Sequence, residues 1–376
     1  MTQPIGRNYG GILQNWALQR VLKNIGHNPE MIWRYYNIPP YNFKLIPRRI
    51  ASFIKCIYRK YLKNNPNVLI SNPFSREYSA FPQCMDYEFI NQIVHTCICR
   101  NDEELRNIVK KGNYDAFIVG SDQVWRTQYS PHIETYFLDF LSEDDHRKRI
   151  AYAASFGVEN DYMSETEIEK CKPLLKRFDA VSVREYSAIE ILKSRFERKN
   201  GFLALDPTLL LEREVYESRI VGETSLETKG LACYVLDETA DTRLISADIA
   251  RAYSIDVMKY SIEYENGKML TVPEWLAVIK DSRFIITDSF HGILFSIIFN
   301  KDFIAISNKG RGQDRFKSIL NQLDLNDRLV DSYSDFESRR EFLLSPIEYD
   351  SINSKLSLLR GKSIDWLRKA LYDSED

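Results

Sequence analysis

The residues with the clearest chemical potential lie in Thr287-Asp288-Ser289-Phe290-His291-Gly292, between the apolar pair Ile285-Ile286 and the apolar run Ile293 to Phe299. The pattern predicts a buried strand, a short polar turn and a helix. At such a turn the free backbone N–H groups and the helix dipole favour anions, so His291 stands where a proton donor could meet a phosphate. The plainer alternative is that Asp288 and Ser289 cap the helix and His291 is a packed side chain. Downstream, Lys309-Gly310-Arg311-Gly312-Gln313-Asp314-Arg315-Phe316 sets three cations among glycines. A guanidinium fork suits carboxylate and phosphate alike, although a solvated turn reads the same way. Arg184, followed by Glu185, closes the apolar run Ala180 to Val183 and is either a further anion contact or half of a surface ion pair. Two more segments have the look of strand-to-helix loops, Gly6-Arg7-Asn8-Tyr9-Gly10-Gly11 and Gly120-Ser121-Asp122-Gln123-Val124-Trp125. Neither matches a dinucleotide or Walker loop. Ser121 and Asp122 face a cleft or cap a helix, and Trp125 reads as core.

The elements that must position these residues are strands with short apolar runs: Tyr114 to Val119, Arg149 to Ala154, Ala180 to Val183, Leu231 to Leu236, Phe284 to Thr287 and Phe303 to Ile306. Runs without strict alternation suit strands covered on both faces. Helical stripes lie between them, such as Asn15 to Ile25 with Trp16, Leu18, Val21, Leu22 and Ile25, and Glu274 to Lys280. This alternation predicts an α/β chain with parallel sheets. At 376 residues it has the length of two domains, with residues 1–205 and 206–376 meeting at the proline and charged stretch from Asp206. Only five residues precede the Gly6 loop, too few and too polar for a buried strand, so a first strand is expected to be missing and the chain to begin downstream of its natural start.

Lys+Arg 51 against Asp+Glu 53 gives a net charge of -2, so no global basic field draws the chain to nucleic acid. The six cysteines form no CxxC pair, and Cys97-x-Cys99 lacks a second pair of ligands, so no structural metal is expected. Neither a signal pattern nor a membrane-spanning run is visible, and the thiols read as those of a cytoplasmic protein. The charge that stands out is local. From Met31 to Arg76 there is no Asp or Glu, while Arg34, Lys44, Arg48, Arg49, Lys55, Arg59, Lys60, Lys63 and Arg76 accumulate. Within residues 44–63, Ile46, Ile50, Phe53, Ile54, Ile57 and Tyr61 recur at helical spacing, the pattern of a helix on the inner membrane face or of one packed on its own protein.

The ordered set Asn8 to Gln14 with Ala17-Leu18-Gln19, Gly120 to Trp125, Ala151 to Gly157, Ser182 to Glu185, Asp206-Pro207-Thr208 and Thr287 to Gly292 resembles the polysaccharide pyruvyl transferase family, over residues 8 to about 316. The resemblance implies two Rossmann-like domains of GT-B type with the active site in the cleft between them. It also implies transfer of a pyruvyl group from phosphoenolpyruvate to two hydroxyls of a sugar, forming a cyclic ketal and releasing phosphate, in the making of a surface or capsular polysaccharide. Phosphoenolpyruvate is a co-substrate; no metal or other cofactor is implied. The family's histidine and arginines map to His291, Arg184 and the loop holding Arg311 and Arg315, with the choice between those two open. Some members carry an arginine where this chain has Ser289.

On this reading Arg184 and Arg311 hold the donor's two anionic groups and His291 protonates its methylene carbon. Asn8, Tyr9, Gly10, Gly11, Ser121, Asp122, Ser289, Gly292, Lys309 and Arg315 line the substrates. The acceptor expected on the N-terminal side is a sugar, carried on a lipid pyrophosphate if residues 44–63 meet the membrane. Two rivals are a glycosyltransferase using a nucleotide sugar and a non-catalytic sugar-binding protein at the membrane. No acidic residue falls between Asp288 and Asp302 to hold a ribose, which weighs against the first.

Overall fold

The computed structural model describes residues 1–3, 8–34, 46–62, 96–158, 160, 162–222, 224, 230–260, 270–308, 310 and 312–372. Three parallel sheets organise them. The smallest pairs β1 (Met31–Arg34) with β2 (Thr96–Cys99). The second has the order β3 (Ala116–Val119), β4 (Lys148–Ala154), β5 (Ala180–Val183), β6 (Phe202–Leu203). The third has the order β8 (Val257–Tyr260), β7 (Leu231–Tyr234), β9 (Phe284–Thr287), β10 (Asp302–Ile306), β11 (Leu329–Val330). The fold is thus α/β with Rossmann-like parallel sheets. Strand β7 and the core of β9 are buried residue by residue, which is why they read as unbroken apolar runs.

The longer helices are α1 (Tyr9–Asn24), α2 (Ile46–Ile57), α3 (Asp102–Lys111), α4 (Glu165–Lys176), α5 (Tyr186–Arg195), α6 (Ala240–Tyr253), α7 (Val272–Asp281), α8 (Phe290–Ile298), α9 (Gln313–Gln322) and α10 (Tyr349–Tyr372). The first corrects the sequence reading. Helix α1 begins at Tyr9, capped by the Asn8 side chain accepting from the Gly10 N–H at 3.1 Å, so Gly10 and Gly11 are in its first turn and not in a loop. A second correction concerns Gly120 to Trp125, which leads to the 3-10 turn Ile133–Phe137 and to no α-helix before β4. Gly6, Lys309 and Arg311 lie outside the described residues.

In the third sheet β7 is flanked by β8 on one side and β9 on the other, so the chain winds away in opposite directions from the gap between β7 and β9. Ligands of open α/β sheets bind beyond the carboxyl ends of the strands at such a switch point. The main core joins α1, Tyr152 and Ala153 of β4, residues 204–211, α7, α8 and part of α10. The stretch from Asp206, expected as the boundary between halves, is therefore buried, with Pro207 to Leu210 in a 3-10 turn beside α1. Among the described residues no helix is long and apolar enough to cross a membrane.

Candidate active site

The turn after β9 is built from side chains that bond their neighbours. Thr287 Oγ1 donates to the Tyr234 carbonyl at 2.7 Å and accepts from the Ser289 N–H at 3.1 Å, which ties β9 to β7. Asp288 accepts from the Leu236 and Asp237 N–H groups at 2.6 and 3.0 Å and from Asn308 Nδ2 at 3.0 Å. Ser289 is the N-cap of α8. Gly292 is required by packing, since a Cβ there would stand 2.2 Å from Thr287 Oγ1. This close approach carries His291 into the first turn of α8, where it is buried.

Beneath that turn lies a compact set of buried charges. Arg184 donates from one terminal nitrogen to Asp206 Oδ2 at 2.7 Å and from the other to Asp122 Oδ1 at 2.8 Å, and its guanidinium carbon sits 4.7 Å from the centre of the Phe290 ring. Its side chain is 1% exposed. Arg184 is therefore taken up by two carboxylates and roofed by Phe290. Its two terminal nitrogens tie Asp206 and Asp122 together. Burial would lower its pKa, yet Asp122, Asp206 and Glu185 hold it above the ordinary value.

Asp206 Oδ1 accepts from the Thr208 N–H and hydroxyl, while Oδ2 faces His291 Nε2 at 3.6 Å, an ion-pair distance when the imidazole is charged. Burial alone would push the Asp206 carboxyl up; His291, Arg184 and the Thr208 N–H together hold it well below the usual carboxylate range. Asp122, whose backbone has a φ of 72°, behaves alike: burial opposes ionisation, and Arg184, His291 and Arg315 overcome it. Glu185 goes the other way, raised by burial although Arg184 and Arg315 oppose the shift.

Above these charges opens a cavity of about 380 Å³, lined from both halves of the chain, with Asn8, Gly11 and Asp122 on one side and Ser289, His291 and Arg315 on the other. It lies at the carboxyl ends of β7 and β9, the switch point of the third sheet. First-turn residues of α1, α8 and α9 converge on it, and neither α1 nor α8 has an acidic residue in its first turn to offset the dipole. Arg315 projects from the start of α9, its guanidinium carbon 5.3 Å from the Phe290 ring centre. Burial and the nearby Arg184 push its pKa down to about 10. An arriving anion would favour its charged form.

The remaining expected site residues have packing duties. Gly10 lets α1 approach His291, because a Cβ would fall 1.9 Å from its Nδ1. Tyr9 turns into the core, stacked on Trp275 at 5.1 Å with its hydroxyl donating to the Leu270 carbonyl, so it is not a cavity residue. Ser121 donates to the Ala153 carbonyl at 2.7 Å and approaches Asp206 Oδ2 at 3.5 Å. Among the described residues no three His, Cys, Asp or Glu side chains gather as a metal site.

Sequence reasoning missed Asp206 as a partner of His291, although its Asp-Pro-Thr setting was visible. It also missed Phe290, Gln3, Gln123 and Tyr129, which touch the cluster or line the cavity. Gly312 stands against the Gly157 carbonyl, where a Cβ would approach to 1.9 Å, so the two halves meet beside Arg315. The family model for polysaccharide pyruvyl transferase matches residues 8–310. No curated protein matches the chain.

Proposed function

The chain belongs to the polysaccharide pyruvyl transferase family, and from that premise and the geometry of the cavity we propose that it moves the pyruvyl group of phosphoenolpyruvate onto two hydroxyls of a sugar. The observation that carries this reading is the convergence of three helix first turns, Arg315 and His291 on one cavity at a switch point. Phosphoenolpyruvate brings a phosphate and a carboxylate, and both find N–H dipoles and a guanidinium there. Arg311 and Lys309, just ahead of α9 in the sequence, belong to the same reading as further anion contacts.

Protonated His291 gives its proton to the methylene carbon of the enol, which becomes a methyl group and leaves the central carbon electron-poor. One sugar hydroxyl attacks that carbon and gives its proton back to the now neutral His291. A second hydroxyl attacks next, the bond from carbon to the phosphate-bearing oxygen breaks, and inorganic phosphate leaves with the electron pair and takes up that hydroxyl's proton. The ketal then holds both sugar oxygens. Asp206 faces the imidazole from below at 3.6 Å and orients it, and the fixed dipoles of α1 and α8 favour the departing phosphate. Tyr129 offers a ring and Gln3 and Gln123 offer amides to the acceptor, a sugar of a surface or capsular polysaccharide.

The test is a thermal-shift comparison of phosphoenolpyruvate with UDP, GDP and CMP. A ligand at 100 times its Kd adds about 2.7 kcal/mol of stability. Phosphoenolpyruvate alone should stabilise the protein, and His291→Ala should keep that stabilisation while abolishing turnover. Stabilisation by a nucleotide alone would make the protein a glycosyltransferase and His291 a phosphate contact.

A further inference from the structure

Helix α2 and the turn that continues it, Tyr58–Leu62, carry a surface that the transfer reaction does not use. Ile50, Ile54, Ile57, Tyr58, Tyr61 and Leu62 are all exposed, with Ile54 at 58%, Tyr61 at 68% and Leu62 at 76%. Their spacing follows one stripe of a helix, which a globular protein ordinarily buries. Phe53 is the one described side chain of this helix that packs back onto the core, so it fixes the helix while the stripe faces outward. The same seventeen residues contain Arg48, Arg49, Lys55, Arg59 and Lys60 and no Asp or Glu. Lys55 among them is exposed beside the apolar stripe.

We propose that residues 46–62 dock on an anionic lipid bilayer, lying in the interface plane with the isoleucine and tyrosine stripe among the acyl chains and the cations at the headgroups. Charge complementarity selects this occupant. A second copy of the chain would bring the same cations against these, whereas an anionic leaflet attracts each of them and accepts the apolar stripe as well. Two exposed tyrosines at one end suit the headgroup region, where a ring with a polar tip is favoured. The docking would hold the enzyme where lipid-linked sugars are presented, but it does not depend on the transfer reaction.

The test is co-sedimentation of the full chain with vesicles of phosphatidylcholine alone or mixed with phosphatidylglycerol. Binding is expected on the mixed vesicles only and should fall as salt rises. Two variants separate the contributions, Ile54→Asp with Leu62→Asp for the stripe and Lys55→Glu with Arg59→Glu and Lys60→Glu for the charge. Each should weaken partitioning by more than about tenfold, with thermal midpoint and phosphoenolpyruvate stabilisation unchanged. Equal binding to neutral vesicles, or none to either kind, would overturn the proposal. So would a concentration-dependent dimer that Ile54→Asp with Leu62→Asp dissolves, since a second copy would then cover the stripe. None of these readouts needs turnover, so loss of the pyruvyl-transfer reading would leave the result standing.

Discussion

At the scale of single residues, the proposed transfer rests on the pairing of Asp206 with His291. Asp206 Oδ2 serves Arg184 and faces the imidazole at once, and the residue is absent from the cavity lining. Asp206→Asn keeps the shape and removes the charge. We expect kcat to fall roughly 10²-fold, at the low end of what a positioned general acid contributes, with KM for phosphoenolpyruvate little changed. A rise in KM at constant kcat would instead place Asp206 in binding. The same carboxylate ties activity to acid stability. Asp206 and Asp122 release their protons at lower pH when folded than in the unfolded chain, where aspartates titrate near about 3.9. Their stabilisation is complete above that value and is lost as pH falls through the lower folded values. The midpoint of thermal unfolding should therefore drop on acidification below about pH 4, less steeply in the variant. His291 was legible because its neighbours in sequence are its neighbours in space. The pairing with Asp206 was not, since it spans most of a hundred residues of chain, and Arg184 announces a cation without showing that two acids already hold it.

Elements act here through their first turns. Gly10 sits where α1 meets the imidazole of α8, and Gly361 sits mid-helix in α10 with nothing within 4 Å of an added Cβ. Exchanging each for alanine separates packing from propensity. Gly361→Ala should stabilise by about 0.5–1 kcal/mol through helix propensity and leave turnover intact. Gly10→Ala gains the same propensity but drives a methyl group into His291, so turnover should fall more than about tenfold whatever the stability does. Equal turnover in the two variants would mean the imidazole can move without consequence. Strand positions were well legible: Ala180–Val183 and Phe284–Thr287 match the expected runs, because strands buried on both faces advertise themselves. The start of α1 was not, because paired glycines read as a loop until the Asn8 cap and the imidazole beside them are seen. Short edge strands such as β6 and β11, two residues each, leave no periodic signal.

For the whole molecule, the question is whether the two larger sheets move as one body. The expected seam after residue 205 is crossed by packing, since Leu205 donates its N–H to Ser363 Oγ at 3.1 Å. Helix α10 is the longest tie. Tyr349 donates to the Lys301 carbonyl beside the third sheet, Trp366 stacks on Phe202 of the second at 5.5 Å, and Tyr372 donates to the Ile25 carbonyl after α1. Nothing in the periodicity of residues 349–372 says which sheet they cover, so this tie was invisible to sequence reasoning. Because one core includes parts of both sheets and of α10, urea unfolding is expected as a single transition. Leu367, fully buried in that core, is the residue that tests it. Leu367→Ala should cost about 2–5 kcal/mol and lower the midpoint while the transition stays single, with phosphoenolpyruvate stabilisation lost in the same step. If the variant unfolded in two steps, with the cavity surviving the first, the halves would fold apart. The alignment of Asp122 with Asp206 and His291 would then need only the local contacts around Arg184, and not the long helix that spans the molecule.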